Sequence, residues 1–167
     1  MTDTLQGNGE GPGGEALGVT LQVVAQYIKD LSFENPAAPG SLFGNEAPPQ
    51  IEASVDVAAR RLGDVDFEAE LRITAKARRG EATAFIVELV YAGLFRIANA
   101  PMDALQPLLL IECPRLLFPF ARRLISDTTR DGGFAPLLLD PIDFATLYRR
   151  QLESQAQQAG ASPAANA

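Results

Sequence analysis

At 167 residues and 47% hydrophobic content, the chain is long enough for one domain with a substantial core and short for two. Its 14 Lys+Arg stand against 21 Asp+Glu, a formal net charge of -7, which repels phosphate backbones and anionic lipid and favours a basic partner over nucleic acid or a membrane surface. Histidine is absent, which removes the commonest general base, the commonest metal ligand and every Ser-His or Cys-His nucleophile arrangement, leaving only carboxylate chemistry in principle.

The chain opens with "MTDTLQGNGEGPGGEALG", which carries Asp3 and no basic-then-apolar pattern, so no signal or transit peptide is expected and the protein is expected in the cytosol. The single cysteine, Cys113, forms no internal disulfide, in keeping with a reducing compartment. It reads as a small buried apolar residue. No window is expected to approach the roughly 18 to 20 apolar residues of a membrane-spanning helix. Residues 1–18, rich in Gly, and 154–167, mostly Ala, Gln and Ser, bury too little to offset ordering entropy. They are expected to be disordered tails around a folded domain of residues 19–153. The glycine-rich start lacks a preceding strand and a following Gly-Lys-Ser/Thr, so it is no phosphate loop.

From Val19 to Phe33 the odd positions Val19, Leu21, Val23, Ala25, Tyr27, Leu31 and Phe33 are apolar, the period of a long strand with one buried face. "ENPAAPGSLFGNEAPPQ", Glu34 to Gln50, follows, and its four prolines and two glycines forbid regular structure. A connection this long within one domain usually serves a function. Two alternating segments come next: Ile51, Ala53, Val55 and Val57, then Phe67, Ala69, Leu71, Ile73 and Ala75. Each predicts a strand with one wet face. "RRLGD" (60–64) and "RRGE" (78–81) supply the turns. In the fourth strand, Thr83 to Ile97, Ile86, Val90 and Leu94 occupy the face that should be solvated. Packed helices would cover one of its faces and another chain or a bound client the other.

After Ala100 the spacing becomes helical, with Pro107, Pro114 and Pro119 as interruptions. A short leading segment is expected, then a longer helix from about Pro114 to Arg130, kinked or begun near Pro119 and stopped by "DGG". In "DPIDF", Asp140 is the expected cap, Pro141 the first helical residue and Asp143 a complement to the helix dipole. Phe144, Leu147, Tyr148 and Leu152 then share one face. The carboxylates Asp127, Asp131, Asp140 and Asp143 are helix-end residues on this reading and form no catalytic pair. The predicted fold class is α+β: a four-stranded antiparallel sheet followed by two C-terminal helices.

"IKDLSFENPAAP", "YAGLFRI", "ECPRLLFPFARRLISDTTRDGGF" and "LLLDPIDFATLY" resemble the bacterial export chaperone family SecB, over about Leu21 to Leu152. The resemblance implies a cytosolic, ATP-independent and cofactor-free holdase that is not an enzyme. Such a protein is a homotetramer, a dimer of dimers whose sheets pair across dimers and whose long helices pack between them. It would bind unfolded preproteins and deliver them to the translocation ATPase SecA. Asp30, Glu34, Ile86 and Glu88 match the family positions that dock on the small, basic, zinc-binding tail of SecA. The zinc would belong to that partner, and no metal site is expected in this chain. A solvated acidic edge is the alternative for Asp30 and Glu34. Leu42 and Phe43 in the loop, Ile51, Ala53 and Val55 on the second strand, and Phe144, Leu147 and Tyr148 on the last helix match the client-binding groove. The same spacing also describes an ordinary core. Ala47 stands where the family loop often has Trp, and Ala53 replaces a leucine. A dedicated chaperone of a toxin-antitoxin system and a small-ligand-binding protein are the alternative functions.

Overall fold

The computed structural model describes residues 18–43 and 47–160. The expected tails therefore lie mostly outside the described residues. Four strands come first: β1 (Thr20–Glu34), β2 (Gln50–Arg61), β3 (Asp66–Arg79) and β4 (Ala82–Ala98). They form one antiparallel sheet in the order β1-β4-β3-β2, so β1 and β2 are its edges. A 3-10 turn at Gly40–Leu42 lies in the long connection between them. Gly80, at φ 58, turns β3 into β4 within the predicted "RRGE", a left-handed conformation that glycine adopts without a Cβ clash.

The alternation of β3 is realised as predicted, with Phe67, Ala69, Leu71, Ile73, Ala75 and Ala77 all buried on one face. Phe85, Val87, Leu89, Tyr91, Phe95 and Ile97 of β4 share that face. β2 differs from expectation. Only Val57 is buried, and the face carrying Ile51 and Ala53 is open to solvent, because the helices do not extend over this half of the edge strand.

β1 also departs from a simple period of two. Its pairing with β4 slips between Val23 and Ala25 and again between Ile28 and Asp30, each slip inserting one extra residue. Between the two bulges the faces are exchanged. Ala25 and Tyr27 therefore pair with Leu94 and Ala92 on the outer face instead of joining the core, and the Tyr27 hydroxyl donates to Glu68 at 2.5 Å.

The helical half is one composite run: α1 (Met102–Pro107), a π-helical turn (Leu108–Glu112) and α2 (Cys113–Asp131). The expected separation of a leading segment does not occur, since Pro107 and Cys113 both keep right-handed helical angles. The π-turn lies between Pro107 and Pro114, where lost amide donors weaken the ordinary i to i-4 ladder. Pro119 is accommodated inside α2. The run also corrects the reading of membrane-spanning capacity: Met102–Asp131 is 30 residues long and contains an 18-residue window of mean hydropathy 1.3. That apolarity has an internal use, because Cys113, Leu117, Phe118, Ala121 and Ile125 form a buried stripe packed on the sheet. The close approach needs Gly93 of β4, where a Cβ would lie 2.6 Å from the Phe95 ring and 2.9 Å from Leu117.

α3 spans Phe144–Gly160, continuing past Ser154, where the carboxy-terminal tail was expected to begin. Its cap is Asp143 and not Asp140. The Asp143 carboxylate accepts from the Thr146 amide (3.1 Å) and hydroxyl (2.8 Å), while its carbonyl accepts from the Leu147 amide. The Thr146 bonds hold the Asp143 carboxyl below its usual pKa. The predicted α+β class is thus observed, with the order of strands and helices as read from the sequence.

Candidate functional site

The outer face of the sheet brings four of the predicted residues to one corner. Glu34 pairs with Ile86, Ser32 with Glu88 and Asp30 with Val90 across β1 and β4, so all these side chains share a face. Asp30, Glu34 and Glu88 are exposed, and Ile86 is half-buried. Glu34 and Glu88 thus flank the aliphatic Ile86, with Asp30 further along the same face opposite Val90. On the same face, Lys76, Thr74 and Arg72 of β3 stand opposite Ile86, Glu88 and Val90. The acid is therefore concentrated on the β1 side.

A second surface lies between the β1–β2 connection and the α2–α3 segment. Leu42 and Ile51 line a cavity of about 430 Å³ together with Phe85, Phe134, Pro136 and Leu137. Phe85 and Phe134 lie 4.8 Å apart between ring centroids, and Phe33 stacks on Phe85 at 5.7 Å, giving the cavity an aromatic floor. The walls are held by polar contacts. Arg79 donates to the carbonyls of Ser41 (3.3 Å) and Ala47 (3.2 Å). Across the cavity, the buried Thr129 hydroxyl donates to the Ile125 carbonyl and accepts from the Leu137 amide, each at 2.9 Å. Arg122 donates to the Leu139 carbonyl at 2.6 Å. Gly133, at φ 91, allows the walls to meet, since a Cβ there would lie 2.7 Å from Leu42.

The other predicted groove residues are distributed differently. Phe43 is 73% exposed beside the cavity, while Ala53 and Val55 continue the face of β2 that carries Ile51. Phe144 is 1% exposed and packs edge-on against Phe118 at 5.9 Å, so it belongs to the core rather than the groove. Leu147 and Tyr148 are half-buried away from the cavity lining, with the Tyr148 hydroxyl donating to Gln106 at 3.2 Å. Sequence reasoning missed Phe134, Pro136 and Leu137. "GGFAPLLL" carried the signal: an apolar run without helical or strand period directly after a helix stop.

Cys113 is fully buried, and burial, assisted by the charge of Glu112, raises its thiol to about 12. It is therefore a packing residue, inert as a nucleophile at neutral pH.

A family model described as "Preprotein translocase subunit SecB" matches residues 15–155. Among curated proteins, "Protein-export protein SecB" of Bradyrhizobium sp. is 54% identical over 155 residues, 92% of this chain and 96% of its own length. That of Maricaulis maris is 56% identical over 143 residues, 86% of this chain and 81% of its own. That of Parvibaculum lavamentivorans is 52% identical over 169 residues, 99% of this chain and 100% of its own. A solved SecB-like chaperone from Mycobacterium tuberculosis, in complex with an antitoxin peptide, has the same fold, with a TM-score of 0.60 at 13% identity over 73% of this chain and 90% of that one. The export names of the relatives favour protein export over the toxin-antitoxin alternative. By its sequence along most of its length and by its fold, the chain belongs to the SecB family of protein-export chaperones.

Proposed function

We propose that the protein is a cytosolic holdase that acts by binding, without catalysis or cofactor, on extended apolar segments of unfolded preproteins. The observation that carries this reading is the open cavity with its Phe85–Phe134 floor, walled by Leu42 and Ile51 and continued by the uncovered face of β2. An apolar trough of this kind suits side chains of many shapes, while the unpaired edge of β2 adds no sequence preference. Phe43, Ala53 and Val55 extend the client surface, and Leu147 and Tyr148 are assigned to it by the family resemblance alone. Self-association into a homotetramer, a dimer of dimers with sheets paired across each dimer, would repeat the trough. Several weak sites then give strong overall avidity.

Light scattering of an aggregating, denatured preprotein tests the reading. The protein at stoichiometric tetramer is expected to suppress the signal, and Leu42→Asp, which puts a charge in the exposed wall of the cavity, to weaken suppression. Unchanged aggregation with the parent protein overturns it.

Asp30, Glu34, Ile86 and Glu88 form the docking surface for the basic, zinc-binding carboxy-terminal tail of SecA in this reading. Acids around an aliphatic anchor complement a basic, partly apolar peptide. Glu88→Lys is expected to weaken tail binding at least about tenfold by charge reversal, and the parent affinity should fall with added salt. Calorimetric titration with the zinc-loaded tail peptide measures both. Because Glu88 is exposed on the outer face, the assembly state of the variant is expected to match that of the parent.

A further inference from the structure

Lys29 is the extra residue of the second bulge in β1: Ile28 lies opposite Tyr91 and Asp30 opposite Val90, so two steps on β1 match one on β4. Side chains alternate between faces, so one inserted residue inverts the phase of everything beyond it. Before Lys29 the outer face takes the odd residues Ala25 and Tyr27. Beyond it the outer face takes the even residues Asp30, Ser32 and Glu34. Were β1 to continue in its earlier phase, Leu31 and Phe33 would point outward and both acids would be directed at the core.

The bulge is tied down on that same face. The Lys29 ammonium reaches over β4 and donates to Glu68, at 3.1 Å, and to Glu70, both on β3. Glu68 is 3% exposed and also accepts from the Tyr27 hydroxyl (2.5 Å) and from Arg60 of β2 (2.7 Å). Tyr27 and Lys29, on either side of Ile28, thus hold one buried carboxylate immediately before the strand changes phase.

We infer that Lys29 is a positioning residue for the acidic docking surface, its tie to Glu68 and Glu70 holding the bulge that presents Asp30 and Glu34 beside Ile86 and Glu88. The inference rests on the docking reading above and adds a residue outside the proposed contact set. It makes a prediction opposite in sign to charge counting. Lys29 is a cation next to a surface that receives a basic peptide, so its removal would tighten docking if long-range charge alone mattered. Positioning predicts a loss.

The test uses the full-length chain and the zinc-loaded SecA tail peptide. Lys29→Met is expected to weaken binding about tenfold or more, and Lys29→Arg to restore most of it. Amide hydrogen exchange over residues 30–34 is expected to quicken in Lys29→Met, with suppression of aggregation unchanged. Unchanged or tighter binding by Lys29→Met, while the parent binds and Glu88→Lys does not, overturns the positioning role and leaves the docking reading standing. If instead Glu88→Lys binds as well as the parent, the docking reading falls. Exchange over 30–34 then decides whether Lys29 holds the bulge, and unaltered exchange overturns that too. Should Lys29→Met fail to fold, Glu70→Gln removes one charged acceptor and leaves Glu68 in place. Parent-like binding and exchange in that variant likewise overturn the inference.

Discussion

Glu68 is a charged residue with almost no access to water, and its neighbours explain how it remains ionised. The hydrogen bond from Arg60, ahead of those from Tyr27 and Lys29, outweighs the burial that opposes it and holds the carboxyl at about 2 against 4.5 when unperturbed. Removing one partner from such a cluster would leave the buried charge with fewer compensating donors, so its members are interdependent. The depressed value fixes the direction of the pH effect. The stability Glu68 contributes is present above about pH 4.5 and is lost as pH falls through about 2. Urea unfolding through this window is expected to show a steeper acid loss in the parent than in Glu68→Gln, and identical slopes would contradict the role given to this carboxylate. No sequence signal marks Glu68. It occupies a polar position in a correctly alternating strand, and its burial arises from side chains of β1 and β2 that converge on it across the sheet.

At the scale of elements, β3 was legible because one face is buried along its whole length, and the period of two in burial is interrupted only where Glu68 is covered on the other face. β1 was legible as a strand but not in its facing. Val24 and Lys29 leave a pattern that mimics an unbroken odd-numbered face, and only the pairing with β4 reveals the exchange. The residues proposed for docking were named from family resemblance. Unbroken alternation with Tyr27 in the core also puts Asp30 and Glu34 outside, but with Tyr27 on the outer face, as observed, only the second bulge brings both acids to the face of Ile86 and Glu88. The composite helix shows the converse. Three prolines suggested breaks, yet a π-turn and tertiary packing keep Met102–Asp131 continuous, since a helix pressed on a sheet tolerates a local loss of hydrogen bonds that an isolated one would not. The cavity was legible in half. Leu42 and Ile51 were found, whereas the Phe134–Leu137 wall has no periodicity to read and is fixed by Thr129 and Arg122 from a neighbouring element.

At the scale of the molecule, the strand order leaves an apolar band on the helix side of β1. Ile28 is 46% exposed and pairs with Tyr91, whose ring stacks with Phe120 of α2 at 6.5 Å. Leu116, one turn before Phe120, is 42% exposed. A band of this kind, next to an edge strand with unpaired backbone, is the surface expected to be covered in the proposed tetramer. Sedimentation of the parent is expected to show a species larger than one chain. Phe120→Asp should shift it toward smaller species without unfolding, because the ring is already 44% exposed in the isolated chain. A parent that sediments as a single chain removes the assembly from the proposal.

The pleat of β1 and β4 sets Phe33 and Phe85 beneath the cavity, while their immediate successors Glu34 and Ile86 stand on the opposite side and pair with each other. Cargo and courier would thus press on two sides of a wall one backbone thick. Neither would need to make room for the other, so a loaded protein could be met at the translocation machinery with its passenger still seated.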